Sequence, residues 1–365
     1  MQNSTEAAQS ETGIVIEQRN ALGLISLDRP KALNALDDTM ATAIAEALPG
    51  FAADPVIYAL VIRSSNARAF CAGGDVRKII AAYKEDPETA RAWFAKEYAL
   101  DWALECFNKP AAALIDGAVM GSGVGLSAFI THRVAGENYR FAMPETMIGL
   151  FPDVGAAHVL ARLPHEIGLY LGLTGRSIGR VDAYALGLVT HCVDATHFDE
   201  IVEQLSEAWP IDALLDDRHV APGESELLRH ALTISHCFSA PTLEGILDRL
   251  SAVTGDEAEW AFEVRRDLEQ RCPTSLAVSL RHIREAKAND IRQVLVRDYR
   301  LACRFLAEHD FAEGVRALLI DKDKNPGWQP ASIGELDEAT IATYFKEPAD
   351  GDLTLPEREE LQKTG

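Results

Sequence analysis

Residues 109–153 read KPAAALIDGAVMGSGVGLSAFITHRVAGENYRFAMPETMIGLFPD, and this stretch decides the fold. Ala111 to Ile115 is an apolar run of strand length, and the glycines from Gly117 to Gly125 supply the backbone freedom of a tight turn into a short helix. A second loop then carries two carboxylates, Glu145 and Asp153. Strand, glycine turn, short helix and paired acids together are the layout of an active site. Residues 111–130 also show Gly117, Gly121 and Gly125 at the GxxxG spacing of packed membrane helices. Asp116 lies inside that window, and Gly and Ala contribute little insertion energy, so a buried strand and helix is expected rather than a membrane span.

Outward from this stretch the chain alternates strand and helix. Ile14 to Glu17 and Leu22 to Asp28 form a hairpin pattern around residues 20–23, and Pro30 ends the second strand. Asp37 is placed to cap a helix through Leu48, with Met40, Ile44 and Leu48 at helical spacing. Ile57 to Arg63 is a buried strand that leads through a polar loop into AFCAGGD at residues 69–75, with a helix expected after Asp75. Asp86-Pro87 opens another helix, to about Phe107, and strands return at 111–115, 133–135 and 190–193. Beyond Pro210 helical stretches dominate: 224–237, 241–253, 256–271, 273–288 and 291–309. The expected division is a disordered lead-in over 1–12, an α/β core over 13–210, a helical region packed on it over 211–330, and a polar tail over 331–365.

The chain has 365 residues, 47% of them hydrophobic, enough for a buried core. With 35 Lys and Arg against 56 Asp and Glu, its formal charge of −21 argues against nucleic acid and against an anionic membrane surface as partners. Six dispersed cysteines with no CxxC pair suggest reduced thiols rather than a disulfide framework or a zinc site. MQNSTEAAQSETG lacks the pattern of a signal or transit peptide, and a cytoplasmic location is expected.

GSGVG at 121–125 has neither the Lys-Ser/Thr of a P-loop nor the later glycine of a dinucleotide fingerprint. No HxxxH, HExxH or GxSxG spacing recruits a metal or a serine nucleophile, so His132, His158, His165 and His191 are read as structural. What remains is a pair of glycine turns, AFCAGGD and MGSGVG, each leaving a strand and opening a helix. Two free backbone N–H groups aimed at one point form an oxyanion hole.

DRPKALNAL, AFCAGGD, KPAAALIDGAVMGSGVGL and FAMPETMIGLFPDVG together resemble the crotonase (enoyl-CoA hydratase/isomerase) superfamily, and within it the 3-hydroxyisobutyryl-CoA hydrolase branch. PTSL at 273–276, DYRL at 298–301 and HDFAEGVRALLIDKD at 309–323 extend the likeness from Gly13 to about Pro330. The resemblance implies a spiral core of ββα units followed by an α-helical C-terminal region. It places the oxyanion donors at the N–H groups of Gly74 and Ser122, where most relatives carry glycine at the second position. Hydratases of the superfamily use two glutamates. The first of those positions falls here on Gly125, while Glu145 keeps the second and Asp153 adds a carboxylate shared with the hydrolases. The likeness also puts Glu97 beside the acyl pocket, and coenzyme A along Lys31, Ala32, Leu33 and Ala72, with Arg29 and Lys31 near its phosphates.

The implied activity is hydrolysis of a short 3-hydroxyacyl-CoA, 3-hydroxyisobutyryl-CoA foremost, as in valine breakdown. Glu145 would act as base or nucleophile with Asp153 assisting. Coenzyme A is then part of the substrate, no separate cofactor or metal is needed, and a homo-oligomer is possible. The competing expectations are an enoyl-CoA hydratase or isomerase, which Gly125 disfavours, and a non-catalytic acyl-CoA-binding protein, which the retained acids disfavour.

Overall fold

The computed structural model describes residues 12–363. The lead-in expected over 1–12 therefore lies, apart from Thr12, outside the described residues. β1 (Ile14–Arg19) and β2 (Leu22–Leu27) form the expected antiparallel hairpin. The strands that follow are β3 (Ala59–Ser64), β4 (Ala69–Cys71), β5 (Ala111–Ile115), β6 (Ala118–Met120), β7 (His132–Ala135), β8 (Arg140–Ala142), β9 (Ile178–Gly179) and β10 (His191–Cys192).

From β3 to β8 successive strands alternate between two sheets. One sheet has the order β1-β2-β3-β5-β7-β10 and the other β4-β6-β8-β9. Each ββα unit thus adds one strand to each sheet, in parallel with the unit before it. The central strands β2, β3 and β5 of the larger sheet bury apolar residues on both faces, as strands covered on both sides require. Along them side chains alternate. Leu22, Leu24, Val61, Ala112 and Leu114 face one hydrophobic cluster, and Ile25, Leu27, Leu60, Ile62, Ala113 and Ile115 face the other.

Nine helices of the first part are α1 (Asp38–Ala53), α2 (Val76–Glu85), α3 (Pro87–Glu105), α4 (Ser122–Ala128), α5 (Ala156–Leu160), α6 (Ile167–Thr174), α7 (Arg180–Ala185), α8 (Phe198–Ser206) and α9 (Ile211–Asp216). Asp37 caps α1 by accepting from the Met40 N–H at 3.1 Å, as its spacing predicts. Asp86 does the same for α3 through Glu88 N–H at 3.2 Å, with Pro87 in the first turn. α8 and α9 cover the smaller cluster with Ile201, Val202, Leu205, Ile211 and Leu215.

The C-terminal helices are α10 (Ala231–Phe238), α11 (Leu243–Ser251), α12 (Ala258–Glu269), α13 (Pro273–Ala286), α14 (Ile291–Ala307) and α15 (His309–Val315). They share one continuous core with the α/β part: Phe70 and Val124 belong to the same cluster as Leu276, Leu295 and Phe305. Residues after Pro330 also carry packed structure. α16 (Glu338–Tyr344) buries Ile341 and Tyr344, Leu355 is buried, and Pro356 O accepts from the Trp102 indole N–H at 2.9 Å. Apolar residues spaced along a charged segment are enough to fold it back onto α3, α13 and α14.

Candidate active site

Three neighbouring parallel strands of the smaller sheet, β4, β6 and β8, deliver the site from their carboxyl ends. β4 runs into Gly73-Gly74, β6 into Gly121-Ser122, and β8 through Pro144 into Glu145, which opens a short 3₁₀ turn. The register pairs Met120 with Ala142, so the second glycine turn and the Glu145 loop start side by side. At Gly121 the backbone needs φ +46°, and a Cβ there would stand 3.2 Å from Glu145 Oε1 and 3.3 Å from Gly73 Cα. Glycine therefore lets both turns and the carboxyl converge. A Cβ built on Gly74 would lie 3.1 Å from Ser122 Oγ, so the two expected oxyanion donors are neighbours in space.

Among the described residues neither the Gly74 nor the Ser122 N–H meets a backbone acceptor. Ser122 is the first residue of α4, where helix geometry leaves the N–H free. The Leu36 N–H donates to Gly73 O at 2.8 Å and the Asp75 N–H to Leu36 O at 2.9 Å, which holds the first turn open around Gly74.

Opposite the turns stands a wall of carboxyls. α3 contributes Glu97 and Asp101, one helical turn apart on its buried face, with Tyr98 between them. The Tyr98 hydroxyl donates to Asp153 Oδ2 at 2.8 Å. Glu97, Asp101, Glu145 and Asp153 are each at most 5% exposed, and among the described residues no Lys or Arg pairs with any of them. Glu97 Oε1, Asp101 Oδ2 and Glu145 Oε2 have no partner at all among the described residues. Burial without a countercharge penalises the ionised form.

Loss of water accordingly pushes Glu145 up to about 8 and Glu97 up to about 7, the latter against hydrogen bonding from Ser122 and Trp93. Asp153 is held well above the carboxylate range by burial and then by the charges of Glu97, Glu145 and Asp298, against the hydrogen bond from Tyr98. Asp101 is raised for the same reasons, burial first. Glu97 and Glu145 are thereby brought close to neutrality, the condition for proton transfer at that pH. No group of three His, Cys, Asp or Glu among the described residues is arranged as a metal site.

Gly125 lies on α4 facing Asp101. A Cβ on residue 125 would come within 2.4 Å of Asp101 Oδ1 and 2.9 Å of its Cγ. The volume left by the missing side chain is filled by a carboxyl that arrives from α3. The three acids read from the sequence, Glu97, Glu145 and Asp153, and the two glycine turns are thus brought together, while Asp101 and Tyr98 were missed. The signal for them was present: Trp93, Phe94, Glu97, Tyr98 and Asp101 follow the apolar face of α3, where two acids are out of place.

Lys31, Ala32, Leu33 and Ala72 form a strip beside the first turn. Pro30–Ala32 is a 3₁₀ turn, Leu33 has φ 51°, and Leu33 O accepts from the Ala72 N–H at 3.1 Å. Lys31 and Leu33 are exposed and Ala32 and Ala72 half-buried. Arg29 is engaged within the fold, with Asp75 at 2.9 Å and Ala35 O at 2.9 Å, so of the two cations Lys31 is the one facing solvent.

The enoyl-CoA hydratase/isomerase family model matches residues 22–345, and the chain belongs to that family, with the crotonase fold. Within it the chain falls in the 3-hydroxyisobutyryl-CoA hydrolase branch. It is 38% identical to the human mitochondrial 3-hydroxyisobutyryl-CoA hydrolase over 97% of this chain and 92% of that protein. It is 36% identical to 3-hydroxyisobutyryl-CoA hydrolase 1 of Arabidopsis thaliana over 98% and 97%. Among solved structures, a carnitinyl-CoA dehydratase from Mycobacterium thermoresistibile superposes with TM-score 0.88 at 34% identity, covering 94% of this chain and 98% of that one. An enoyl-CoA hydratase from Rhodobacter sphaeroides gives 0.87 at 33%, covering 94% and 100%.

Proposed function

We propose that the protein hydrolyses a short 3-hydroxyacyl-CoA thioester, with 3-hydroxyisobutyryl-CoA, an intermediate of valine breakdown, as the foremost substrate. The observation that carries this is the occupation of the Gly125 space by Asp101, which leaves Glu145 beside two free N–H groups with no glutamate at the first hydratase position. The thioester oxygen accepts from the N–H groups of Gly74 and Ser122. Water attacks the carbonyl carbon and gives its proton to Glu145. The tetrahedral intermediate then expels coenzyme A as thiolate, which takes that proton back and leaves as the thiol. Direct attack by Glu145 to form an acyl anhydride, hydrolysed in a second step, uses the same geometry. Asp153, whose Oδ2 is engaged by Tyr98, has its other oxygen for the 3-hydroxyl, and Glu97 borders the acyl group.

Coenzyme A would run along Lys31, Ala32, Leu33 and Ala72 as part of the substrate, with no separate cofactor. The relatives, 3-hydroxyisobutyryl-CoA hydrolases, support the hydrolase reading, and the human one is mitochondrial. A cytoplasmic setting for this chain is supported by six free, buried cysteines, which suit a reducing compartment. No helix among the described residues is long and apolar enough to cross a membrane.

The names of the structural neighbours favour a second reading, hydration of an enoyl-CoA. One assay separates the two across a panel of 3-hydroxyacyl, branched and enoyl-CoA thioesters. Free thiol from the 3-hydroxyacyl-CoA supports hydrolysis. Loss of enoyl absorbance without thiol overturns it.

A further inference from the structure

The DYRL segment and the helix before it lie outside the acid wall, yet they reach it. His282 on α13 and Asp298 on α14 are both fully buried, and His282 Nε2 meets Asp298 Oδ1 at 2.6 Å. The second oxygen of Asp298 leaves the helical region altogether: it accepts from the Gly155 N–H at 2.7 Å. Gly155 comes two residues after Asp153 and precedes α5.

The turn between them is one that a chain does not adopt unaided. Val154 has φ 52° and Gly155 φ 73°, two left-handed residues in succession, and for a β-branched residue that conformation is unfavourable. It persists where surrounding contacts over-determine it. Those contacts are the Asp298 carboxyl on the Gly155 N–H, the Ala156 N–H on Asp153 O at 2.8 Å, and Phe151, which stacks on Phe305 and meets the edge of His282. Tyr98 grips Asp153 from the other side at 2.8 Å.

His282 Nδ1 has no partner among the described residues. An imidazole carrying its proton on Nε2 satisfies this arrangement, since it donates to Asp298 and leaves Nδ1 as a bare lone pair. A carboxyl holding two buried donors in fixed directions is a rigid fixture. A pair whose only work was to join α13 to α14 would have no cause to reach the turn after Asp153.

We propose that Asp298, oriented by His282, is a positioning residue that sets the direction of the Asp153 carboxyl by clamping the Val154-Gly155 turn, so that the helical region tunes the reaction without touching substrate. This rests on the hydrolase reading for its kinetic readout, and a second readout is independent of activity.

The test uses the full-length chain with Asp298→Ala, Asp298→Asn and His282→Gln. Asp298→Ala lowers kcat for thiol release on the order of 10- to 100-fold, as a misplaced catalytic group does, while KM and the affinity for an unreactive acyl-CoA thioether stay within about threefold. Asp298→Asn keeps an oxygen for the Gly155 N–H and recovers most of that loss. His282→Gln, which leaves the Asp298 carboxyl in place, falls between them and serves where Asp298→Ala does not fold. Hydrogen exchange of the segment 153–157 speeds up in Asp298→Ala while the β5 segment stays protected.

The proposal is overturned if a folded Asp298→Ala or His282→Gln variant matches the wild type in kcat, or if kcat and KM collapse together and Asp298→Asn restores neither. Unchanged exchange at 153–157 overturns it by itself. A wild-type chain that releases no thiol from any 3-hydroxyacyl-CoA, with the exchange result as expected, removes the hydrolase reading and leaves the clamp standing.

Discussion

The two sides of the site are built on opposite principles. The proposed oxyanion side consists of backbone: Gly74 and Ser122 offer N–H groups that cannot titrate, fixed by strand ends and a helix start. The acid side consists of side chains gathered from distant segments, Glu97 and Asp101 from α3, Glu145 from the loop after β8, and Asp153 from the turn before α5. Backbone donors hold their place at any pH, whereas Glu97 and Glu145, raised by burial to about 7 and about 8, change state around neutrality. In the proposed reaction, charge stabilisation is therefore the constant part and proton transfer the adjustable one.

The sharpest way to break the acid side alone is Glu145→Gln. Thiol release should fall by roughly 10³-fold or more, with acyl-CoA affinity little changed, because a general base contributes about 10²–10⁴-fold and the amide is isosteric. A variant within tenfold of wild type, by a thiol-trapping assay and a separate binding titration, removes Glu145 from the mechanism.

The matching experiment on the other side is Ser122→Pro, which deletes one N–H at a helix position that tolerates proline. Its kcat should drop on the order of 10²-fold, the value of one oxyanion donor, with the Glu145 limb of the pH profile near 8 kept in place, since the hydroxyl lost with the N–H bonds Glu97 and not Glu145. A displaced limb would mean that the two sides are not separable as argued.

The pH dependence tests the comparison without mutation. A base held near 8 must lose its proton to work, so kcat/KM should rise with pH through a limb near that value. Stability runs the other way. Between the ordinary carboxylate value of 4.5 and about 8 the folded chain keeps a proton on Glu145 that the unfolded chain has released. That contribution is complete below 4.5 and is lost as pH rises through about 8, so Glu145→Gln should flatten the fall of Tm over this window. A Tm profile with the same slope in both proteins would show that Glu145 is not protonated in the folded state.

The smallest effect probes where the acid side meets α4. Gly125→Ala forces a Cβ onto the Asp101 carboxyl and should cost about 1–3 kcal/mol in denaturant unfolding, as overpacking does. Adding Asp101→Ala should recover about 1 kcal/mol or more of it, the coupling expected of residues in contact. Strict additivity in that cycle would place Asp101 elsewhere.

Most of the oxyanion side was legible in the letters. Glycine turns after apolar strands announce themselves locally, since a strand of five buried residues and a run of small residues are properties of contiguous sequence. Helix starts at Asp37 and Asp86 were legible for the same reason, because a capping carboxylate and the N–H that donates to it lie only two or three residues apart. The acid side was legible only in part. Glu145 and Asp153 stood out as two acids on one loop and took their roles from the resemblance, Glu97 came from the resemblance alone, and Asp101 was passed over, because a carboxylate on a helix becomes exceptional only when that face is known to be buried.

By itself, then, the sequence determined the alternation of strand and helix, the two glycine turns, the absence of a side chain at 125 and the family to which the chain belongs, all written in neighbouring residues or their combination. The tertiary structure alone decided that successive strands part into two sheets, that Asp101 from α3 occupies the space Gly125 leaves, and that Asp298 reaches across from α14 to the turn behind Asp153. Those are contacts between residues 24 and 143 positions apart, and no local rule of spacing or propensity encodes them. Burial and the countercharge each acid lacks come from that long-range packing, and with them the proton affinities on which the proposed chemistry depends.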